Sequence, residues 1–369
     1  MADFHSSSRR FERSSPVHWL LPAYTSAVGT ILSFRPAWSV STRSVLDLNQ
    51  NAGCGIFGHN APAIIEALEA LLNAGTPLRL PLARCIGAAE LSEQLVALSS
   101  PALGDGSYDC ILGMRTGAEA LDVALALALA VLTAREPSAA RGTLPLMLIV
   151  VSGSFHGNCT RASFSASAVF RSHPQAHSLC EFDARYLPPD ASAKDVAAAF
   201  APHDQGEARC VAVLYEPQQH FAEFATPGPD AMRRLAAAAA ARGVPTIADE
   251  IWSGVYRTGS FVASRIRPDI LALGKGLSAG VCKQSAILVD RAMLMSAARA
   301  PIDVYPALHG DLLDDVARDA TSPPPVPAPL VPCALCCALA LAGLQSISPQ
   351  SVAGSASTLE KIVHRHAAG

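Results

Sequence analysis

The sequence predicts an α/β fold, a mostly parallel central sheet flanked by helices, built as one large domain with a smaller attachment. Strand-like and helix-like patterns alternate through the middle of the chain, as in a sheet whose crossovers are helices. Its strand-like runs, such as LMLIVV and CVAVLY, are continuously apolar, which suits strands buried on both faces. Polar residues follow several of those runs directly, at the sheet edge where open α/β folds collect ligands.

Size and composition agree with this class. The 369 residues are 50% hydrophobic and 16% charged, enough to bury a large core. With 28 Lys plus Arg against 31 Asp plus Glu, the net charge of -3 offers no footprint for nucleic acid. The ten cysteines, scattered through a long Ala-rich chain, read as reduced thiols of a cytoplasmic compartment. Cys333, Cys336 and Cys337 form a CxxCC cluster, but it lies in an apolar helical pattern with no second ligand pair at metal spacing, so no metal is expected. The Ser- and Arg-rich start has some character of an organelle transit segment, against which Asp3 and Glu12 argue. The apolar tract 326–344 contains Pro327, Pro329 and Pro332, leaving too short a helix to span a bilayer, and no membrane partner is expected.

The elements follow in chain order. Residues 61–74 predict an amphipathic helix, with Pro62 near its start where a missing N–H costs little. Residues 118–134 predict a long helix, and residues 146–151 a buried strand that Pro145 can precede. A helix at 192–200, a strand at 210–215 and an Ala-rich helix at 229–242 come next, then strands at 244–248, 270–273 and 285–289. Residues 322–332, SPPPVPAPLVP, predict an extended, polyproline-like segment.

Four strand ends carry chemistry: Asp249 after VPTIA, Glu216 after CVAVLY, the turn 153–157 after LMLIVV, and Gly274-Lys275-Gly276 after ILAL. A lysine between glycines suits a nucleophile that must swing into a pocket. An aspartate at a neighbouring strand end suits a fixed cation such as a protonated ring nitrogen, whose charge makes the carboxylate's burial tolerable. A lysine and a carboxylate so placed are the two protein groups that pyridoxal phosphate chemistry requires.

On these residues the chain resembles the class III aminotransferases, the family of ornithine, acetylornithine and 4-aminobutyrate aminotransferases, whose fold is the type I pyridoxal phosphate fold. Its D-E-V/I-x-x-G-x-x-R-T-G motif stands here as DEIWSGVYRTG from Asp249, and its P-D-I-x-x-x-G-K as PDILALGK ending at Lys275. GHNAP from Gly58, TGAEA from Thr116, FHG from Phe155 and EPQQ from Glu216 match further family motifs in the family's order. The resemblance implies that Lys275 is the Schiff-base lysine and that Asp249 pairs with the pyridine nitrogen of pyridoxal 5′-phosphate. It implies that Ile251 and Phe155, with His156 in the same turn, flank the ring, and that Thr116, Gly117 and Ala118 open a helix toward the phosphate. Trp252 stands where relatives often carry a Gln that touches the ring hydroxyl. Glu216 and Gln219 are expected to line the substrate pocket, and Thr321, after His309-Gly310, to reach the phosphate of a partner subunit.

The implied activity is ping-pong transfer of an amino group, such as the distal amine of a diamino or ω-amino acid, to an oxo acid by a homodimer. Racemase, decarboxylase or aminomutase chemistry needs the same Lys275 and Asp249, and an inactive relative is a further alternative. Outside the chemistry, His59 and Asn60 read as turn residues, and Arg257 as an ion-pair partner of Glu250 or Asp269. The expected organisation is an N-terminal segment, 1–55, contributing to the small domain and dimer contacts; a large cofactor-binding domain, 56–290; and a reduced C-terminal region, 291–369, with the Pro-rich linker. Relatives usually carry a carboxylate-gripping arginine in their C-terminal domain. The 94 residues after Lys275 (369 minus 275) show no counterpart, and Arg365 is a poor candidate.

Overall fold

The computed structural model describes residues 23–36, 39–78, 85–104, 107–136, 144–158, 160, 165–167, 182–299 and 332–347. Within these, two sheets form. Strands β1 (Ala23–Val28), β2 (Ile31–Arg35) and β3 (Arg43–Leu46) make a small antiparallel sheet in that order. The large sheet contains β4 (Tyr108–Met114), β5 (Leu146–Val151), β6 (Asp183–Leu187), β7 (Arg209–Tyr215), β8 (Thr246–Asp249), β9 (Ile270–Leu273) and β10 (Ser285–Asp290). Its order is β4-β10-β9-β8-β7-β5-β6, and β10 runs antiparallel to both of its neighbours while the remaining pairings are parallel.

Helices cover both faces of this sheet. The helices are α1 (Pro62–Asn73), α2 (Ala88–Leu103), α3 (Gly117–Arg135), α4 (Ala193–Asp204), α5 (Pro229–Arg242), α6 (Arg291–Ala297) and α7 (Ala334–Ser346), of which α1 packs mainly on α7. Alternate side chains of one strand feed two separate cores. Met147, Ile149 and Val151 of β5 join the core built with α2, α4 and α5, whereas Leu148 and Val150 join the one built with α3 and α6. That is why LMLIVV has no polar alternation: both of its faces are inside.

Local signals account for the helix ends. Thr116 caps α3 by accepting from the Glu119 amide, Ser192 and Asp195 form a capping box at α4, and α5 ends at Gly243 in the left-handed region. Among the described residues α3 is the one helix long and apolar enough to cross a membrane, a test that tract 326–344 alone received in the sequence. Here it is a core helix, packed on β7, β9 and β10 with twelve of its residues buried.

The predicted helices and strands of the middle region are present with ends moved by a few residues; β8, for instance, is Thr246–Asp249, so that Asp249 closes the strand. The patterns at β1 to β4, β6, α2 and α6 carry no sequence expectation of their own. β6 explains the difficulty, since its residues Asp183, Arg185 and neighbours give the mixed exposure of an edge strand. The segment 322–331 and Thr321 lie outside the described residues.

Candidate active site

One cavity of about 470 Å³ opens at the carboxyl ends of the parallel strands. Its lining includes Thr116, Gly117 and Ala118 after β4, Phe155 and His156 after β5, Glu216 after β7, Asp249, Ile251 and Trp252 at β8, and Lys275 after β9. Chain order alone could not bring these together. Sheet order does, because β4 and β5 lie far apart in the sheet and α3 crosses between them.

Asp249 is buried, and both of its oxygens are held. Oδ1 accepts the Ile251 amide at 3.0 Å, and Oδ2 accepts Nδ1 of His156 at 2.9 Å. In the tautomer that donates to this oxygen, Nδ1 of His156 carries the hydrogen. The His156 ring is fully buried, and its Nε2 has no protein partner. Beside it, Glu216 accepts the Phe155 amide at 2.8 Å, while burial and then the carboxylate of Asp249 push its own proton affinity far up.

Lys275 follows β9 directly, in the left-handed region at φ 41°, a strained conformation for a residue with a side chain. Its Nζ donates to the Ala52 carbonyl at 3.1 Å and stands 3.7 Å from the centroid of the Trp252 ring. Burial pulls the amine below its usual value, and Cys54, Asp249 and Glu216 act in the opposite direction. A lowered value enlarges the neutral fraction of the amine, the form able to attack a carbonyl carbon.

Ile251 is wedged between two glycines. A Cβ on Gly117 would meet it at 2.8 Å, and one on Gly274 at 2.9 Å. This close approach sets Ile251 against the first turn of α3, where the amides of Gly117 and Ala118 have no acceptor within the helix and the helix dipole favours an anion.

Several expectations need correction or completion. Gln219 is buried but does not line the cavity; its Nε2 donates to the Ser152 carbonyl at 2.7 Å and to Ser154 Oγ at 3.1 Å, bracing the turn that carries His156. Arg257 pairs with neither Glu250 nor Asp269. It donates to Gln50 Oε1 and to the Gly53 carbonyl, because Glu250 is taken by Ser253 and the amides of Ala263 and Ser264, and Asp269 by Thr246. His59 and Asn60 hold turns as expected, through Asp47 and the Ala27 carbonyl.

The cavity also holds residues that the strand-end rule passed over. Gln284 and Ser285 line it with Gln284 Nε2 and Ser285 Oγ buried and unpartnered. They stand at the start of a strand instead of following one, Gln284 just before β10 and Ser285 as its first residue, yet β10 is antiparallel, so its beginning lies beside the ends of β4 and β9. His220 stacks on Trp252 with ring centroids 3.5 Å apart, and no motif in the sequence marks that contact.

A family model described as aminotransferase class III matches residues 21–310. This chain belongs to the class III aminotransferases. Among curated class III relatives, the chain is 27% identical over 289 residues to the diaminobutyrate–2-oxoglutarate aminotransferase of Rhizobium meliloti, covering 75% of this chain and 58% of that one. It is 31% identical over 264 residues to ornithine aminotransferase 2 of Staphylococcus aureus, covering 69% and 58%. The chain thus spans less than two thirds of the length of these relatives. In fold it resembles the adenosylmethionine-8-amino-7-oxononanoate aminotransferase of Methanocaldococcus jannaschii, with a TM-score of 0.72 at 20% identity over 94% of this chain and 73% of that one. A transaminase from the marine bacterium Virgibacillus gives 0.69 at 16% identity, over 90% and 69%.

Class III aminotransferases use pyridoxal 5′-phosphate, and the cavity fits that group on its own chemistry. Three buried polar atoms on its lining, His156 Nε2, Gln284 Nε2 and Ser285 Oγ, find no partner among the described residues. Leaving such atoms dry costs about 1–3 kcal/mol each, which a polar ligand offsets.

Proposed function

We propose that the protein is a pyridoxal phosphate-dependent aminotransferase that moves an amino group from a small amine donor to an oxo acid in two half-reactions. The observation that carries this reading is the convergence of a strained, desolvated lysine and a buried, doubly held aspartate on one cavity at the strand ends. When bound, the cofactor supplies an electron sink for charge on the substrate carbon beside nitrogen.

The chain's own residues do the remaining work. Lys275 would hold the cofactor through its amine, and the same amine would take and return a proton at the substrate carbon. Asp249 would hold positive charge on the ring nitrogen, and His156 keeps that carboxylate oriented. Glu216 stays protonated at neutral pH, so the cavity does not carry two unshielded carboxylates at once. Ile251 and Phe155 keep water from the ring's faces. A diamino or ω-amino acid as donor, assembly as a homodimer and a cytoplasmic location are part of the proposal. The names of the diaminobutyrate and ornithine relatives support the first.

Borohydride treatment of the purified protein with added pyridoxal phosphate tests the reading. The cofactor should become fixed to the peptide that contains Lys275, and the Lys275→Ala protein should carry no fixed cofactor after the same treatment. Incubation with amino donors should then release an oxo product and leave the cofactor in its amine form, at a rate at least about 10³-fold lower in the variant. Chiral inversion or CO2 release in place of an oxo product would reject amino transfer.

A further inference from the structure

The CxxCC cluster plays no part in the cavity, yet the fold gives one of its thiols a specific partner. Cys85 Sγ lies 3.7 Å from Cys337 Sγ although the two residues are 252 apart in sequence. Cys85 sits just ahead of α2 and is half-buried, while Cys337 is in the first turns of α7 and fully buried. The other two thiols of the cluster contact each other and backbone carbonyls. Cys333 Sγ donates to the Leu78 carbonyl at 2.9 Å, and Cys336 Sγ to the Lys283 carbonyl at 3.8 Å.

The chain around Cys85 is shaped to lie flush on α7. Gly87 has φ +81°, and a Cβ there would meet Leu341 Cδ1 at 3.3 Å and Cys337 Cβ at 3.7 Å. The helix that carries Cys337 also packs on α1, on α2 and on the turn Lys275–Ser278. A covalent link at this point would therefore tie the backing of the lysine turn to an element near the start of the large domain.

We propose that Cys85 and Cys337 are a thiol pair that closes into a reversible disulfide under oxidising conditions, stapling α7 to the entry of α2. The oxidant is a low-molecular-weight disulfide, R–S–S–R. The half-exposed Cys85, as thiolate, attacks one of its sulfurs and expels one R–S⁻. Cys337 Sγ then attacks Cys85 Sγ and expels the second. Two cysteine thiols lose two electrons and two protons, and R–S–S–R leaves as two R–SH. The new bond closes a very long loop, which constrains the unfolded chain strongly. Burial raises the proton affinity of both Cys85 and Cys337, which slows both steps and makes the link a response to sustained oxidation. No step depends on the cofactor.

The test uses the native full chain incubated with oxidised glutathione, followed by alkylation and non-reducing peptide mapping. The expected result is a Cys85–Cys337 linked peptide, a mass loss of two hydrogens per chain, and a rise of a few degrees in Tm that dithiothreitol reverses. Cys85→Ser, a half-exposed and well-tolerated position, should abolish both the link and the rise, and Cys333→Ser should change neither. Full alkylation of Cys85 and Cys337 after exposure, or a link through Cys333 or Cys336 instead, would overturn the assignment.

Discussion

Asp249 and Glu250 are neighbours in sequence and both are buried, yet they serve opposite sides of the sheet edge. Asp249 faces the cavity, where its near neighbours His156, Gln284 and Ser285 keep polar atoms unpartnered. Glu250 faces away into protein that leaves it nothing to do but hold the chain. Its Oε1 accepts the amides of Ala263 and Ser264 at 2.9 and 2.6 Å, and its Oε2 accepts the Ser253 hydroxyl. One carboxylate sits in a cavity whose lining has polar atoms left to pair, and the other among bonds made within the protein. A strand that ends on two acids thus separates function from architecture by the alternation of its side chains.

Crossed substitutions break or sharpen that division. The largest effect should come from Asp249→Asn, which removes the charge that, in the proposed function, would face the cofactor's ring nitrogen: kcat is expected to fall about 10³-fold, with chemical denaturation shifted by less than about 1 kcal/mol. Glu250→Ala should do the reverse. Stranding two amides and a hydroxyl in the interior should lower stability by about 3 kcal/mol, while the molecules that remain folded keep their cofactor absorbance. Equal losses of activity and stability in both variants would dissolve the distinction.

Glu250 gives a pH signature as well. Burial raises its proton affinity from 4.5 to about 7, against the opposing pull of its hydrogen bonds. The folded chain therefore keeps a proton there that the unfolded chain releases near 4.5. This contribution to stability is complete at lower pH and is lost as pH rises through about 7. Glu216 acts in the same sense, whereas His203 and His220, whose values are lowered by burial, act in the opposite one. The change in denaturation midpoint that Glu250→Gln causes, followed between pH 5 and 8, isolates the residue, and no change in slope would rule out its titration.

Smaller effects lie at the rim. Gly117→Ala must displace Ile251 and should cost about 1–3 kcal/mol, with cofactor affinity weakened in a fluorescence titration. Arg115→Ala removes an exposed ion pair with Glu119, 2.8 Å long, and should alter stability by under about 0.5 kcal/mol. A loss of donor affinity in that variant would instead mark Arg115 as a substrate contact.

Much of this division was legible in the sequence, because strand ends in an open α/β sheet read directly as site positions. Lys275, Asp249, Glu216 and the turn at His156 all followed apolar runs and all reached the cavity. Gln284 and Ser285 escaped because direction is a property of the sheet: nothing in QSAILV says that the strand runs backwards. Gln219 misled for a related reason, since a polar side chain next to a site residue can serve the backbone behind it. The His220–Trp252 stack and the Cys85–Cys337 approach arise from tertiary contact between distant segments, which no local pattern encodes.

The helix α3 leaves a last consequence, in the order of synthesis. Its apolar surface is covered largely by β7, β9, β10 and α6, all of which are translated after it. At about 5–20 residues per second the emerging helix waits on the order of ten seconds or more for that cover. During that interval it presents to the ribosome's surroundings a greasy segment as long as a bilayer is thick. Until that cover is made, the helix is a surface on the nascent chain that chaperones can capture.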